Sequence, residues 1–179
     1  MKESYGNDNL AIAWQYPGKA REVVPAEFLR TISPFDVGAT LERWSGIGGI
    51  TIADLMTGTN NLASVPTATD YLRQLDVLES PFNIGDNYGI RIKGWLVPPV
   101  NGLYQFAIAS DDNGEFWLSI DDDPTHKVKM CHVAWAPPRT WNAYPEQLSA
   151  PITLVAGKAY YYEVRLCTST LATDNLIGE

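Results

Sequence analysis

The chain has 179 residues, 45% of them apolar, with 13 basic and 21 acidic side chains and a formal charge of −8. This length and apolar content fit one globular domain with room for a short appendage, and they exclude a disordered chain. No apolar run approaches the length of a membrane span, and no cluster of Lys and Arg forms the basic stripe of a nucleic-acid binder.

Taken in chain order, the N-terminus MKESYGNDNL lacks the apolar core of a signal peptide. Six segments then alternate apolar and polar residues with the period of two that marks a strand. Leu10, Ile12, Trp14 and Tyr16 form the first row, and residues 21–40 read as a linker. One short helix is expected around ITIADLM (50–56), followed by a long loop over 57–70. Ile90, Ile92 and Leu96 alternate with Arg91, Lys93 and Trp95. Tyr104, Phe106 and Ile108 share one face, as do Phe116, Leu118 and Ile120. Val128, Met130 and His132 alternate with Lys127, Lys129 and Cys131, residues 134–150 read as a second long loop, and Tyr160, Tyr162, Val164 and Leu166 make the last row. Turn residues separate these segments in PPVNG (98–102), DDNG (111–114), DDDP (121–124) and AGK (156–158). Many short strands at this spacing predict an all-β fold, an antiparallel barrel or sandwich with long loops and at most one short helix.

Among residues that carry chemistry, Asp111 and Asp112 are the most informative, two adjacent carboxylates at the end of the apolar strand LYQFAIA (103–109). Neighbouring side chains on an extended backbone point to opposite faces, so the peptide must kink for both to serve one site. A cis bond would provide the kink at a cost of roughly 3–4 kcal/mol, which a cation gripped by both side chains would sustain. The pair taken alone reads first as a polar hairpin turn, since Asp, Asn and Gly are ordinary turn residues, and only second as a cation site. Cys131 and Cys167 fit no zinc spacing; they are either two inert buried thiols or, on neighbouring strands, a disulfide. His126 and His132 are too isolated for a metal pair, and no nucleophile arrangement, phosphate loop or nucleotide signature stands out.

The order of these segments resembles a known family. GDNYGIRIKGWLVPPVNGLYQFAIASDDNGEFWLSIDDDPTHKVKM (85–130), ERWSGIGG (42–49), PRTWNAYPEQLSAPI (138–152) and LVAGKAYYYEV (154–164) are together similar to the protective-antigen fourteen-kilodalton (PA-14) domain, over roughly residues 40–166. The resemblance implies a β-barrel and, in the sugar-binding members of adhesins and flocculins, a calcium ion held by two adjacent aspartates joined by a cis peptide. Asp111 and Asp112 match that motif residue for residue. Further ligands are implied in the loop before the last strand, around Asp-Asn-Leu. At the C-terminus the Lys-Glu pair of that loop and the strand after Asn175 are missing, yet KESYGNDNLAIAWQYPG (2–18) resembles the loop and strand. Residues 1–20 are therefore the last-strand segment of the family fold, closing this barrel or left from a preceding tandem domain, and residues 41–179 are the carbohydrate-binding domain. Carried over, the extra ligands are Glu3 with the carbonyls of Tyr5 and Asn7; the C-terminal counterparts are Ser169, Leu171 and Thr173. Glu3 is the better ligand for a hard cation.

Asp121-Asp122-Asp123 before Pro124 reads as turn chemistry, and Asp86-Asn87 as a loop buttress. Trp135, Trp141 and Tyr144 either stack on a sugar or pin their loop. The expected function is a non-enzymatic, calcium-dependent carbohydrate-binding module of a secreted or cell-surface protein. Asp111 and Asp112 would hold the ion that takes glycan hydroxyls, and tandem neighbouring domains would be its companions. The alternative is an interaction domain without sugar binding. Adjacent carboxylates turned onto one ion are poor glycosidase residues.

Overall fold

The computed structural model describes residues 9–31, 37–72, 77–81 and 85–168. Its strands are β1 (Leu10–Tyr16), β2 (Lys19–Val23), β3 (Leu29–Arg30), β4 (Ala39–Ser45), β5 (Ala68–Leu72), β6 (Tyr88–Leu96), β7 (Gly102–Ser110), β8 (Asn113–Ser119), β9 (Lys127–Val133), β10 (Ile152–Leu154) and β11 (Tyr160–Thr168). They form two sheets, β10-β7-β1-β2 and β5-β4-β6-β11-β8-β9, with β3 beside β6, and every pairing is antiparallel. The fold is all-β, and of the two expected architectures it is the sandwich, not a closed barrel.

The inward rows of both sheets meet in one core. Leu10, Ile12 and Trp14 of β1 lie opposite Ser110, Ile108 and Phe106 of β7 and are at most 1% exposed. Tyr160, Tyr162, Val164 and Leu166 of β11 are buried with Ile90, Ile92 and Leu96 of β6. Phe106 and Phe116 pack across the sheets with ring centroids 5.0 Å apart, and Trp14 packs at 5.4 Å from Tyr104. Each such side chain taken from water contributes about 1.5–3 kcal/mol.

Four expectations change. Residues 21–40, expected to be a linker, supply β2, β3 and the start of β4, and Val24, Ala26 and Leu29 enter the core. The loop over 57–70 ends early, because β5 begins at Ala68 and pairs with β4. Ile120 does not continue the Phe116–Leu118 row; it lies past the end of β8 and is exposed. In β9 the alternation changes parity. Phe116 pairs with Cys131 but Trp117 pairs with Lys129, so Met130 is the extra residue of a bulge. Past it, Cys131 and Val133 are buried and His132 is exposed, as an inserted residue requires.

The expected helix is α1 (Ile52–Thr57), started by a capping box in which Asp54 N donates to the Thr51 hydroxyl and Thr51 N to the Asp54 carboxylate. Ile52 and Leu55 join Trp44, Ile47 and Cys167 in a second, smaller apolar cluster. The two cysteines are free and buried, on β9 and β11 with β8 between them. Burial pushes both thiols up to about 12, with Asp54 and Asp112 adding at Cys167.

Candidate metal centre

β7 ends at Ser110 in one sheet and β8 begins at Asn113 in the other. Asp111 and Asp112 are therefore the whole connection between the sheets at one edge of the sandwich. They form an inter-sheet corner, where the sequence read alone suggests a hairpin. The kink is not a cis bond: no cis peptide occurs among the described residues, and Asp112 takes a left-handed φ of 62°. Aspartate is among the few side chains that tolerate that region. Gly114 permits the tight corner, since a Cβ there would come within 2.7 Å of Ser110 Cβ.

Both neighbouring strand ends fasten the corner. From the β1 side, Asp111 N donates to Asn9 O at 2.9 Å. From the β11 side, the Thr168 hydroxyl donates to Asp112 Oδ2 at 3.0 Å. On the outer flank Asn113 Nδ2 donates to Ala134 O at 3.4 Å, and Ala136 N donates to Ser110 O at 2.8 Å. Asn9 is fully buried, and neither its Oδ1 nor its Nδ2 has a hydrogen-bond partner. An orphaned buried amide costs about 1–3 kcal/mol. A cation would meet only the Oδ1; the Nδ2 is a donor and needs an acceptor such as water.

The donors gathered here are carboxylate, amide and hydroxyl oxygens, which suit a hard cation and not zinc or copper. Two carboxylates fall short of the six to eight oxygens calcium takes. Among the described residues no third His, Cys, Asp or Glu completes a metal-binding group. Glu3, Tyr5 and Asn7 lie outside the described residues, as do Ser169, Leu171 and Thr173. Their segments adjoin the corner in sequence: Asn9 holds Asp111, and Thr168 holds Asp112 and directly precedes Ser169.

The comparison with family models decides the kinship: the PA14 domain model matches residues 63–173, which is more than half of the chain. The chain belongs to the PA14 domain family. The match takes in the Asp111–Asp112 corner and every strand from β5 to β11. A mouse protein named N-acetyl-beta-glucosaminyl-glycoprotein 4-beta-N-acetylgalactosaminyltransferase 1 is 40% identical over 83 residues, covering 44% of this chain and 8% of its own length. Mouse fibrocystin-L is 33% identical over 93 residues (52% of this chain, 2% of its length), and dog fibrocystin 26% over 106 residues (54% and 3%). This PA14 domain thus spans a small share of each relative it matches.

Asp121 and Asp123 serve local structure. Asp123 Oδ1 accepts from Thr125 N at 2.8 Å and caps the turn at Pro124–His126. Asp121 meets His126 Nδ1 at 2.9 Å, which lowers the Asp121 pKa and raises that of His126. The Asn87 carbonyl accepts from Ile47 N at 2.9 Å, so it buttresses the loop after β4. His126 and His132 form no pair. Asn9 and Thr168 are the site residues that sequence reasoning passed over. Asn9 stands inside the first Asp-Asn-Leu, so a signal was present; a lone Thr at a strand end carries none.

Proposed function

We propose that this PA14 domain is a calcium-dependent carbohydrate-binding module, non-enzymatic, belonging to a secreted, lumenal or cell-surface multidomain protein. The observation that supports it most is the inter-sheet corner: two adjacent aspartates, Asp111 held through its backbone N–H by Asn9 and Asp112 through its carboxylate by Thr168, with the buried Asn9 amide left without a partner. Asp111 and Asp112 would hold the ion with oxygen donors from the adjoining segments, Glu3 and the carbonyls of Tyr5 and Asn7 foremost. Bound calcium supplies open coordination positions for vicinal hydroxyls of a glycan. The chain's own part is to keep both carboxylates at one corner, with Asp112 oriented by the Thr168 hydroxyl. One relative's name specifies transfer of N-acetylgalactosamine to a glycoprotein sugar, a setting in which a glycan-binding module is at home. Weak single-site recognition would gain strength from tandem copies. No described helix is long and apolar enough to cross a membrane.

The test is a calcium titration followed by thermal unfolding, then glycan-array binding with and without chelator. Saturable calcium stabilisation with chelator-sensitive glycan binding supports the reading. Unfolding that ignores both calcium and chelator would overturn it and favour an interaction domain without sugar binding.

A further inference from the structure

Trp14 and Tyr16 of β1 pack on the core, as do Tyr104 and Phe106 of β7. Gln15 and Gln105, paired across the two strands, therefore stand on the outer face of the smaller sheet. Arg21 of β2 spans both, its Nη2 donating to Gln15 Oε1 at 2.9 Å and to Gln105 Oε1 at 3.2 Å. Its Nε is buried and has no hydrogen-bond partner. Arg91, Arg139 and Arg165 each meet a glutamate at 2.6 or 2.7 Å. Arg21 meets no carboxylate among the described residues. Its neighbour Glu22 is turned to Lys19 at 3.2 Å and to Trp14 Nε1 at 3.5 Å. In a chain of formal charge −8, this half-buried cation is held by neutral amides alone, and its charge is uncompensated.

Beside it lies a cleft of about 300 Å³ whose lining includes Gln15, Gln105, Pro17, Leu103 and Pro151. Leu103, on the middle strand, is 59% exposed, and the two prolines flank it from β1 and β10. Pro17 is fixed against the Gly102 backbone, where a Cβ would come within 2.8 Å of its ring. Gln105 Nε2 donates to Ser149 O at 3.1 Å, but no described residue accepts from Gln15 Nε2. The cleft thus combines a rigid apolar wall, an unused amide donor and a positive charge behind it.

We propose that this cleft is a second ligand site, which takes a carboxylate-bearing monosaccharide, a uronic or sialic acid. The carboxylate accepts from Gln15 Nε2 in the field of Arg21, and the C–H face of the ring lies on Leu103 and the prolines. The volume is at the lower end for small-molecule sites and holds one ring. Arg21 is a positioning residue: it holds both amides and supplies the charge that favours an anion over a neutral sugar. From Gln105 to Ser110 at the corner is about 17 Å along β7, so the site is separate from Asp111 and Asp112 and needs no calcium.

The experiment titrates the whole ¹⁵N-labelled chain with glucuronic acid, N-acetylneuraminic acid, glucose or acetate, in chelator throughout, and follows the side-chain amide resonances of Gln15 and Gln105. At least one acidic sugar should shift them saturably, with affinity about tenfold or more above that of glucose and falling with salt. Arg21→Gln should remove most of that preference. Leu103→Ala should weaken the acidic sugar and leave acetate unchanged. If Arg21→Gln does not fold, Gln15→Leu takes its place and should abolish the preference. No shift with either acidic sugar, equal binding of glucose, or an unaltered preference in the folded variant overturns the proposal. Acetate binding as tightly as the sugars also overturns it, leaving a simple anion site. Chelator removes any contribution from the corner, so this outcome and that of the calcium-dependent reading are independent.

Discussion

One left-handed residue, Asp112, carries the chain from one sheet to the other and leaves two carboxylates at the corner. Their adjacency was plain in the sequence, but the sheet change was not, because Asp, Asn and Gly mark hairpins and corners alike. Which residues would join Asp111 and Asp112 in the proposed calcium site can be ranked by experiment. Glu3→Ala should weaken calcium binding and Ser169→Ala should have little effect, since ligand charge count sets affinity in a calcium site. Calorimetric titration of both variants checks this, and the reverse ranking would assign the C-terminal loop to the site. A second prediction at this scale concerns Glu163. Burial opposes its ionisation, but Arg165 at 2.7 Å, with Lys127 and the Tyr161 hydroxyl, outweighs it and holds the pKa below the ordinary glutamate value. A depressed pKa gives stability that is present above the unfolded value, about 4.3, and is lost as pH falls through the folded one. Glu163→Gln should therefore cost roughly 1–3 kcal/mol at pH 7, and the gap to the unmutated chain should narrow below pH ~4 in urea unfolding.

Among the elements, β1 has the clearest consequences. It lies between β7 and β2, pairs with β7 from Leu10 to Gln15, and sends Leu10, Ile12 and Trp14 into the core. Its row was legible because a period of two places Leu10, Ile12, Trp14 and Tyr16 on one face. The parity change in β9 was hidden, since a bulge inserts one residue without altering composition, and Met130 reads as an ordinary strand residue. β2 was missed for a related reason. KAREV lies at a sheet edge and alternates weakly, so only its pairing with β1 reveals it. Trp14→Ala should cost about 3–5 kcal/mol, as large aromatic truncations in a close-packed core do. Deleting residues 1–17 should unfold or aggregate the chain, because β2 would lose its partner and β7 would keep only β10, leaving exposed edges. Denaturant unfolding and size-exclusion chromatography measure the two outcomes. A truncated chain that stays monomeric with an unchanged melting temperature would show that β1 adds nothing to the fold.

Across the whole molecule, charge complicates any metal measurement. A chain of formal charge −8 repels itself, so any salt stabilises it somewhat by screening, and a divalent ion screens more than a monovalent one. A cation site adds a separate term, RT ln(1 + [L]/Kd), about 2.7 kcal/mol at a hundredfold excess over Kd. For a domain of this size that is a rise of roughly 5–11 °C in melting temperature. The two terms differ in form: screening grows smoothly with ionic strength, whereas site binding saturates the fraction of sites filled and discriminates between cations of equal charge. Magnesium demands tighter octahedral geometry and gives up its water reluctantly, so a corner built from carboxylates and amide oxygens should favour calcium. At matched ionic strength, calcium should raise the melting temperature by several degrees more than magnesium or sodium. Asp112→Asn, which keeps the shape and removes one charge, should abolish that excess and leave the screening response intact. If calcium and magnesium give the same curve in the unmutated chain, the corner is not a calcium site, and Asp111 and Asp112 serve only to turn the chain between its sheets.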